Sequence, residues 1–166
     1  MSGRRELAEK LLAACRAHGI MLATAESCTG GLIAGALTDI AGSSDVVDRG
    51  FVTYSNAAKM EMVGVSAATL DAFGAVSRET AVEMAAGALA RSHAGIAIAV
   101  TGIAGPGGGS AEKPVGLVWF GIALRGRAVA AEQRLFEDKS RDYIREETVK
   151  AALALAIAAL DGLHPQ

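Results

Sequence analysis

Hydrophobic positions along the chain alternate between a helical and an extended period, and the changes of period mark out successive elements. Across residues 4–18, Leu7, Leu11, Leu12 and Cys15 fall on one helical face, and Gly19 supplies a stop. The short apolar stretch MLATAE, with turn-forming residues behind it, predicts a strand over 20–25. TGGLIAGALTDI at 29–40 reads as a Gly/Ala-rich helix beginning directly after that strand, and AGSS at 41–44 as a loop. VVDRGFVTYS predicts a second strand near 46–54, followed by two short helices in NAAKMEMV and AATLDAF. Ser77 caps a longer helix in which Val82, Ala85, Ala86 and Leu89 recur at helical spacing. GIAIAVTG at 95–102 is a near-continuous apolar run, as in a strand buried on both faces. VGLVWFGIAL and AVAAEQRLF flank Arg125-Gly126-Arg127 and read as an antiparallel hairpin. A last helix is expected from near Asp138 to about Leu160. Strands alternating with helices, plus one hairpin, predict an α/β fold: a three-layer α/β/α domain with a mixed sheet. No repeat, linker or low-complexity tract interrupts it, so one domain is expected over 1–166, with its core in about 5–160.

Composition sharpens this picture. Hydrophobic residues make up 51% of the 166 positions but aromatics only 4%, so the core must be built from Ala, Val, Leu and Ile. Small side chains of that kind suit close helix-on-sheet packing. A net charge of −2 with no basic run argues against a nucleic-acid surface. No apolar stretch reaches the roughly 18 to 20 residues of a membrane span, and MSGRRELAEKLL lacks the apolar centre of a signal peptide. Cys15 and Cys28 follow no zinc-like spacing and suit a reducing, cytoplasmic setting. No His, Cys or carboxylate grouping has metal-ligand spacing, and neither a metal nor a cofactor is expected.

Reactive residues gather in three segments: TAESCTGG at 24–31, GSS with VTYSNAAK within 42–59, and VTGIAGPGGG at 100–109. Ligands of open α/β sheets sit at the carboxyl ends of strands, and all three segments are expected on that edge. Ser27 lies between a strand and a helix whose first turn holds Gly30 and Gly31, where free N–H groups favour an anion or a developing oxyanion. Ser27 or Thr29 serves equally well as an ordinary N-cap. The three histidines are poorly placed for a triad: His18 and His93 end predicted helices and His164 is in the tail. A Ser–Lys pairing therefore leads. Lys59 is the best lysine for it, because Tyr54, Ser55 and Asn56 stand close by to orient or relay a proton. A lysine base must be neutral, which requires desolvation or a nearby cation; the ordinary alternative is a solvated surface lysine.

The remaining candidates are more ambiguous. Gly102 to Gly109 is too glycine-rich for a casual turn, yet it fits neither a P-loop nor GxGxxG. Such a loop can form a nest of N–H groups for a phosphate or simply connect strands. Thr101 can donate into the site from a strand end. Arg141 and Arg145, one turn apart, can pair with a phosphate or stay solvated. Glu26 either orients Lys59 or faces solvent. Cys28 is a rival nucleophile lacking the usual histidine, and the ordinary reading is a buried small residue.

TAESCTGG, DIAGSS, RGFVTYSNAAK, GAVS, VTGIAGPGGGSAEKPVG and VWF, in this order and spacing, closely resemble the CinA C-terminal domain family from about residue 5 to 160. Enzymatic members are nicotinamide mononucleotide amidohydrolases, so the resemblance implies hydrolysis of that carboxamide to nicotinic acid mononucleotide and ammonia, in pyridine nucleotide recycling. It implies Ser27 and Lys59 as the catalytic pair, with Ser44, Tyr54 and Thr101 assisting and Ser44 as second choice for the nucleophile. Glu26, Thr29, Gly30, Gly31, Gly102, Gly105, Arg141 and, more weakly, Arg145 are the expected substrate contacts. A homodimer without nucleic-acid or membrane partners is also expected. Longer relatives carry an added N-terminal domain linked to nucleotide pyrophosphatase activity; for these 166 residues the expectation is the amidohydrolase part alone. The rival from another class is a non-catalytic module that binds a mononucleotide without turnover.

Overall fold

The computed structural model describes residues 3–137 and 140–163. Five strands, β1 (Leu22–Glu26), β2 (Val47–Val52), β3 (Ile96–Gly102), β4 (Leu117–Leu124) and β5 (Ala130–Leu135), form one sheet in the order β2-β1-β3-β4-β5. β2, β1 and β3 run parallel, whereas β4 and β5 are antiparallel additions. The expected mixed sheet is therefore present. Six α-helices accompany it: α1 (Arg4–His18), α2 (Leu32–Thr38), α3 (Asn56–Val63), α4 (Ala67–Phe73), α5 (Arg78–Ala90) and α6 (Arg141–Asp161).

The two faces of the sheet are chemically different. On one, Leu22, Ile96, Ile98, Val100, Val118 and Phe120 pack against α1, α2 and α6. On the other, Ala25, Ala97, Ala99 and Ala123 meet Met84, Ala85 and Ala88 of α5, with Val63 of α3 and Leu70 of α4 beside them. Large side chains hold the first layer at ordinary separation, while alanines let α5 settle close. Gly121 shows how close: a Cβ there would lie 2.5 Å from the carbonyl oxygen of Ala81. The scarcity of aromatics thus has a structural consequence.

The strand expected over 20–25 runs Leu22–Glu26, and two helix starts also shift from the sequence expectation. The helix expected over 29–40 begins at Leu32, because Gly30 (φ 58°) and Gly31 (φ 105°) take left-handed conformations that form a turn first. The last helix begins at Arg141, where the Ser140 hydroxyl accepts from the Tyr143 amide at 3.2 Å. The expected start at Asp138, like His164, lies outside the described residues.

Candidate active site

Successive residues of a strand point to opposite faces, and the end of β1 uses this to separate two chemistries. Glu26 turns toward α2; Ser27 turns toward α3. The Glu26 carboxylate accepts from the Thr29 hydroxyl at 2.7 Å and from the amides of Ile33 at 2.8 Å and Ala34 at 3.1 Å. It thus caps α2, whose own N-cap residue, Gly31, has no side chain to do so. Only 1% exposed, it neither faces solvent nor orients Lys59, a correction to both sequence readings. The first turn of α2 already holds an anion, so Glu26 and the Thr29 hydroxyl are internal to the fold rather than free for substrate.

Ser27 meets Lys59. The Lys59 Nζ stands 3.0 Å from Ser27 Oγ and 2.8 Å from the Thr53 carbonyl oxygen. Helix α3 begins after Ser55, whose hydroxyl accepts from the Ala58 amide at 3.0 Å. Helical side chains lean toward the helix N-terminus, so the stem of Lys59 runs back over the end of β2 to reach Thr53 and Ser27. Lys59 is 2% exposed, and burial lowers its pKa below the ordinary 10.5; the neighbouring Cys28 opposes this weakly. Both partners of the amine are neutral oxygens. When the amine is neutral, one N–H can donate to Thr53 and its lone pair can accept from Ser27. Ser55 is occupied as a cap and Asn56 is exposed, so neither acts as the expected relay.

A pocket of about 260 Å³ opens beside this pair, lined by Ser27, Cys28, Tyr54, Gly102, Ile103, Ala104, Gly105, Gly107, Gly108 and Arg141. Arg141 crosses it, donating through Nη1 to the Gly105 carbonyl at 2.7 Å and through Nη2 to the Tyr54 hydroxyl at 2.7 Å. Among the described residues it forms no ion pair with a carboxylate, nor do the amides of Ala104, Gly105, Gly107 and Gly108 bond a protein acceptor. Tyr54 is 59% exposed and forms the rim. Arg145 lies deeper, with Nε 3.1 Å from the Cys28 carbonyl and Nη2 3.2 Å from that of Thr29.

Two other expectations need correction, those for Ser44 and Thr101. Ser44 stands in the short 3₁₀ turn before β2, exposed, at the opposite edge of the sheet from Ser27. Parallel pairing sets the start of β2 beside the start of β1, so the five residues of β1, roughly 16 Å of strand, separate the two serines. Thr101 is buried and donates to the Ala75 carbonyl at 2.8 Å instead of into the pocket. Cys28 is the buried small residue of the ordinary reading: its thiol pKa is pushed up to about 12 by desolvation, so it stays protonated beside Ser27 and Lys59. Thr53 was missed, because a backbone carbonyl carries no signature in the sequence. His18 ends α1 and His93 follows α5, both before the starts of parallel strands and thus on the far edge.

This geometry has relatives. The model of the CinA C-terminal domain matches residues 4–160. The chain belongs to the CinA C-terminal domain family. It is 53% identical over 160 residues to the nicotinamide-nucleotide amidohydrolase PncC of Enterobacter agglomerans, covering 95% of this chain and 96% of that one. The protein of the same name from Escherichia coli K12 is 50% identical over 149 residues, 89% of each chain. Among solved CinA-superfamily structures, the competence/damage inducible protein CihA of Agrobacterium tumefaciens superposes with a TM-score of 0.93 at 56% identity, covering 97% of both chains. The Ser27–Lys59 pocket of this chain is thus set in a fold shared with that family.

Proposed function

We propose that the chain, acting as one domain, hydrolyses the carboxamide of nicotinamide mononucleotide to nicotinic acid mononucleotide and ammonia, with Ser27 as nucleophile and Lys59 as base. The observation that carries the mechanism is the 3.0 Å contact between Ser27 Oγ and a buried amine that has no counter-charge among the described residues. Neutral Lys59, aligned by the Thr53 carbonyl, takes the Ser27 proton as Oγ attacks the carboxamide carbon. The tetrahedral oxyanion is met by backbone amides of the 28–29 turn or of the 104–108 loop, neither of which is engaged by a carbonyl or carboxylate among the described residues. As the intermediate collapses, the proton on Lys59 passes to the departing nitrogen and ammonia leaves. A water, deprotonated by the same amine, then attacks the acyl ester and frees Ser27. A neutral base also suits a substrate whose pyridinium ring is cationic.

Arg141 and the glycine amides of the 104–108 loop suit the phosphate, since among the described residues neither has an anionic partner. Tyr54 lines the same rim. The reaction belongs to pyridine nucleotide recycling in the cytoplasm, and no described helix is long and apolar enough to cross a membrane. Two copies form the expected assembly; an apolar groove of about 300 Å³ between β4, β5 and α6, lined in part by Phe120, Ile122 and Leu155, offers a face for it. Light scattering tests that state.

The deciding experiment measures ammonia released from the mononucleotide and from free nicotinamide. Turnover of the mononucleotide is expected, with a loss on the order of 10⁴-fold in Ser27→Ala. Binding without ammonia would favour the non-catalytic module, and normal turnover in Ser27→Ala would remove the mechanism.

A further inference from the structure

Arg141 and Arg145 lie one turn apart on α6, yet they reach different things. Arg141 spans the pocket mouth, whereas Arg145 turns inward to the backbone just after Ser27. Its fork takes the two consecutive carbonyls of Cys28 and Thr29. The preceding carbonyl, that of Ser27, accepts from the Gly30 amide at 2.9 Å. Thr29 is held a second time, through its hydroxyl on Glu26. Gly30 sits under the guanidinium with φ 58°, and a Cβ there would come within 3.4 Å of Arg145 Nη2.

The carbonyls of 27–29 are therefore all engaged, while the amides of Cys28 and Thr29 have no carbonyl or carboxylate acceptor among the described residues. A carbonyl and the following amide share one peptide plane. Fixing the Cys28 carbonyl therefore also orients the Thr29 amide, and fixing the Thr29 carbonyl orients the Gly30 amide, which in turn holds the Ser27 carbonyl and with it the plane of the Cys28 amide. Arg145 forms no ion pair among the described residues, so its charge is directed at carbonyl dipoles alone.

We propose that Arg145 is a positioning residue: its guanidinium clamps the Cys28 and Thr29 carbonyls, holding Ser27 Oγ against Lys59 and the turn's amides toward the developing oxyanion. This assigns the phosphate to Arg141 and the loop, and withdraws Arg145 from substrate contact. The proposal rests on the Ser27–Lys59 reading above.

The two roles give different kinetics. A clamp acts on the transition state, so Arg145→Gln should lower kcat on the order of 100-fold, as for a small misplacement of reacting groups, with KM within about threefold. Preference for nicotinamide mononucleotide over its unphosphorylated nucleoside, measured as a ratio of kcat/KM values, should stay within about threefold of wild type. Arg145→Lys keeps the charge and one donor direction; it should recover part of kcat. A phosphate ligand would show the reverse, a raised KM and a collapsed preference for the phosphorylated substrate, and that result would overturn the proposal. So would unchanged kinetics in Arg145→Gln. Melting curves accompany both variants. If Arg145→Gln does not fold, Arg145→Lys alone decides by the same split between kcat and KM. Failure of both to fold overturns the local role, since Arg145 would then hold the fold. Absence of ammonia from the wild-type protein, or full turnover by Ser27→Ala, removes the underlying mechanism as well and is distinguishable from these outcomes.

Discussion

Glu26 and Lys59 are both almost wholly buried, at 1% and 2% exposure, and both lie against the end of β1. Their surroundings differ in kind. Glu26 accepts three hydrogen bonds, one from the Thr29 hydroxyl and two from amides of the first turn of α2, so its charge is matched by donors and the positive end of a helix. Lys59 touches two neutral oxygens and, among the described residues, no carboxylate. Burying a charge is tolerable when hydrogen bonds and opposite charge replace water, and costly otherwise. Compensated burial of this sort is structural. Burial without compensation favours the neutral amine, and a neutral amine is what a serine nucleophile requires.

Replacing Lys59 gives the sharpest test of that contrast. Lys59→Met removes the base while keeping most of the apolar stem, and kcat is expected to fall on the order of 10³-fold. Its melting temperature should hold or rise, because a poorly solvated amine has been exchanged for an apolar end. A large loss of stability in Lys59→Met would show that the amine is structural, and the contrast would fail.

Glu26→Gln should do the opposite. It keeps the shape but removes the charge facing two amides and a hydroxyl, and the expected cost is about 2 kcal/mol of stability in urea unfolding. Turnover per folded molecule should change far less than in Lys59→Met. A variant as stable as wild type would mean that the carboxylate does not cap α2.

Much of this contrast was legible in the sequence, and some was not. Ser27 between strand and glycines, and Lys59 after a strand, were readable because turn chemistry and helix starts have local signatures. The role of Glu26 was missed because strand alternation, applied one residue further, sends it to the face opposite Ser27. The resemblance carries Ser44 into the site with Tyr54 and Lys59, but a full strand runs between GSS and VTYSNAAK and takes the two segments to opposite ends of the sheet. Thr101 ends a strand, which suggests a place facing the ligand; GAVS marks the turn between α4 and α5, but nothing in it signals that the Ala75 carbonyl captures a hydroxyl 26 residues away. The carbonyls that hold Lys59 and Arg145 belong to Thr53, Cys28 and Thr29, and any residue type supplies a carbonyl.

The titration of Lys59 gives a smaller effect with a definite sign. Its folded pKa lies below the unfolded value of 10.5. Between the two values the unfolded chain binds one more proton than the folded one, so this group makes stability rise with pH. Below the folded value both states are charged, and the full penalty stands. The stability advantage of Lys59→Met over wild type should therefore be greatest on the acid side and shrink as pH approaches 10.5. Urea unfolding of both proteins across that range measures it; an advantage that grows with pH would mean the burial argument has the wrong sign. The wild-type rate should rise over the same limb as the amine loses its proton.

The smallest expected effect concerns Cys28, next to Ser27 and 5% exposed. Desolvation pushes its thiol up to about 12, so at neutral pH the thiolate that attack would require is scarce. Burial is the cause here as for Lys59, and in both cases the neutral form is favoured; for an amine that creates a base, whereas for a thiol it removes a nucleophile. Cys28→Ala deletes one buried sulfur and should cost about 1 kcal/mol of stability, with kcat within a few-fold of wild type. Treatment of the wild-type protein with a thiol alkylating agent should leave ammonia release intact, because the group is both protonated and covered. Inactivation by the reagent that is abolished in Cys28→Ala would show an accessible thiolate at this position, and burial would then no longer separate the roles of these neighbouring side chains.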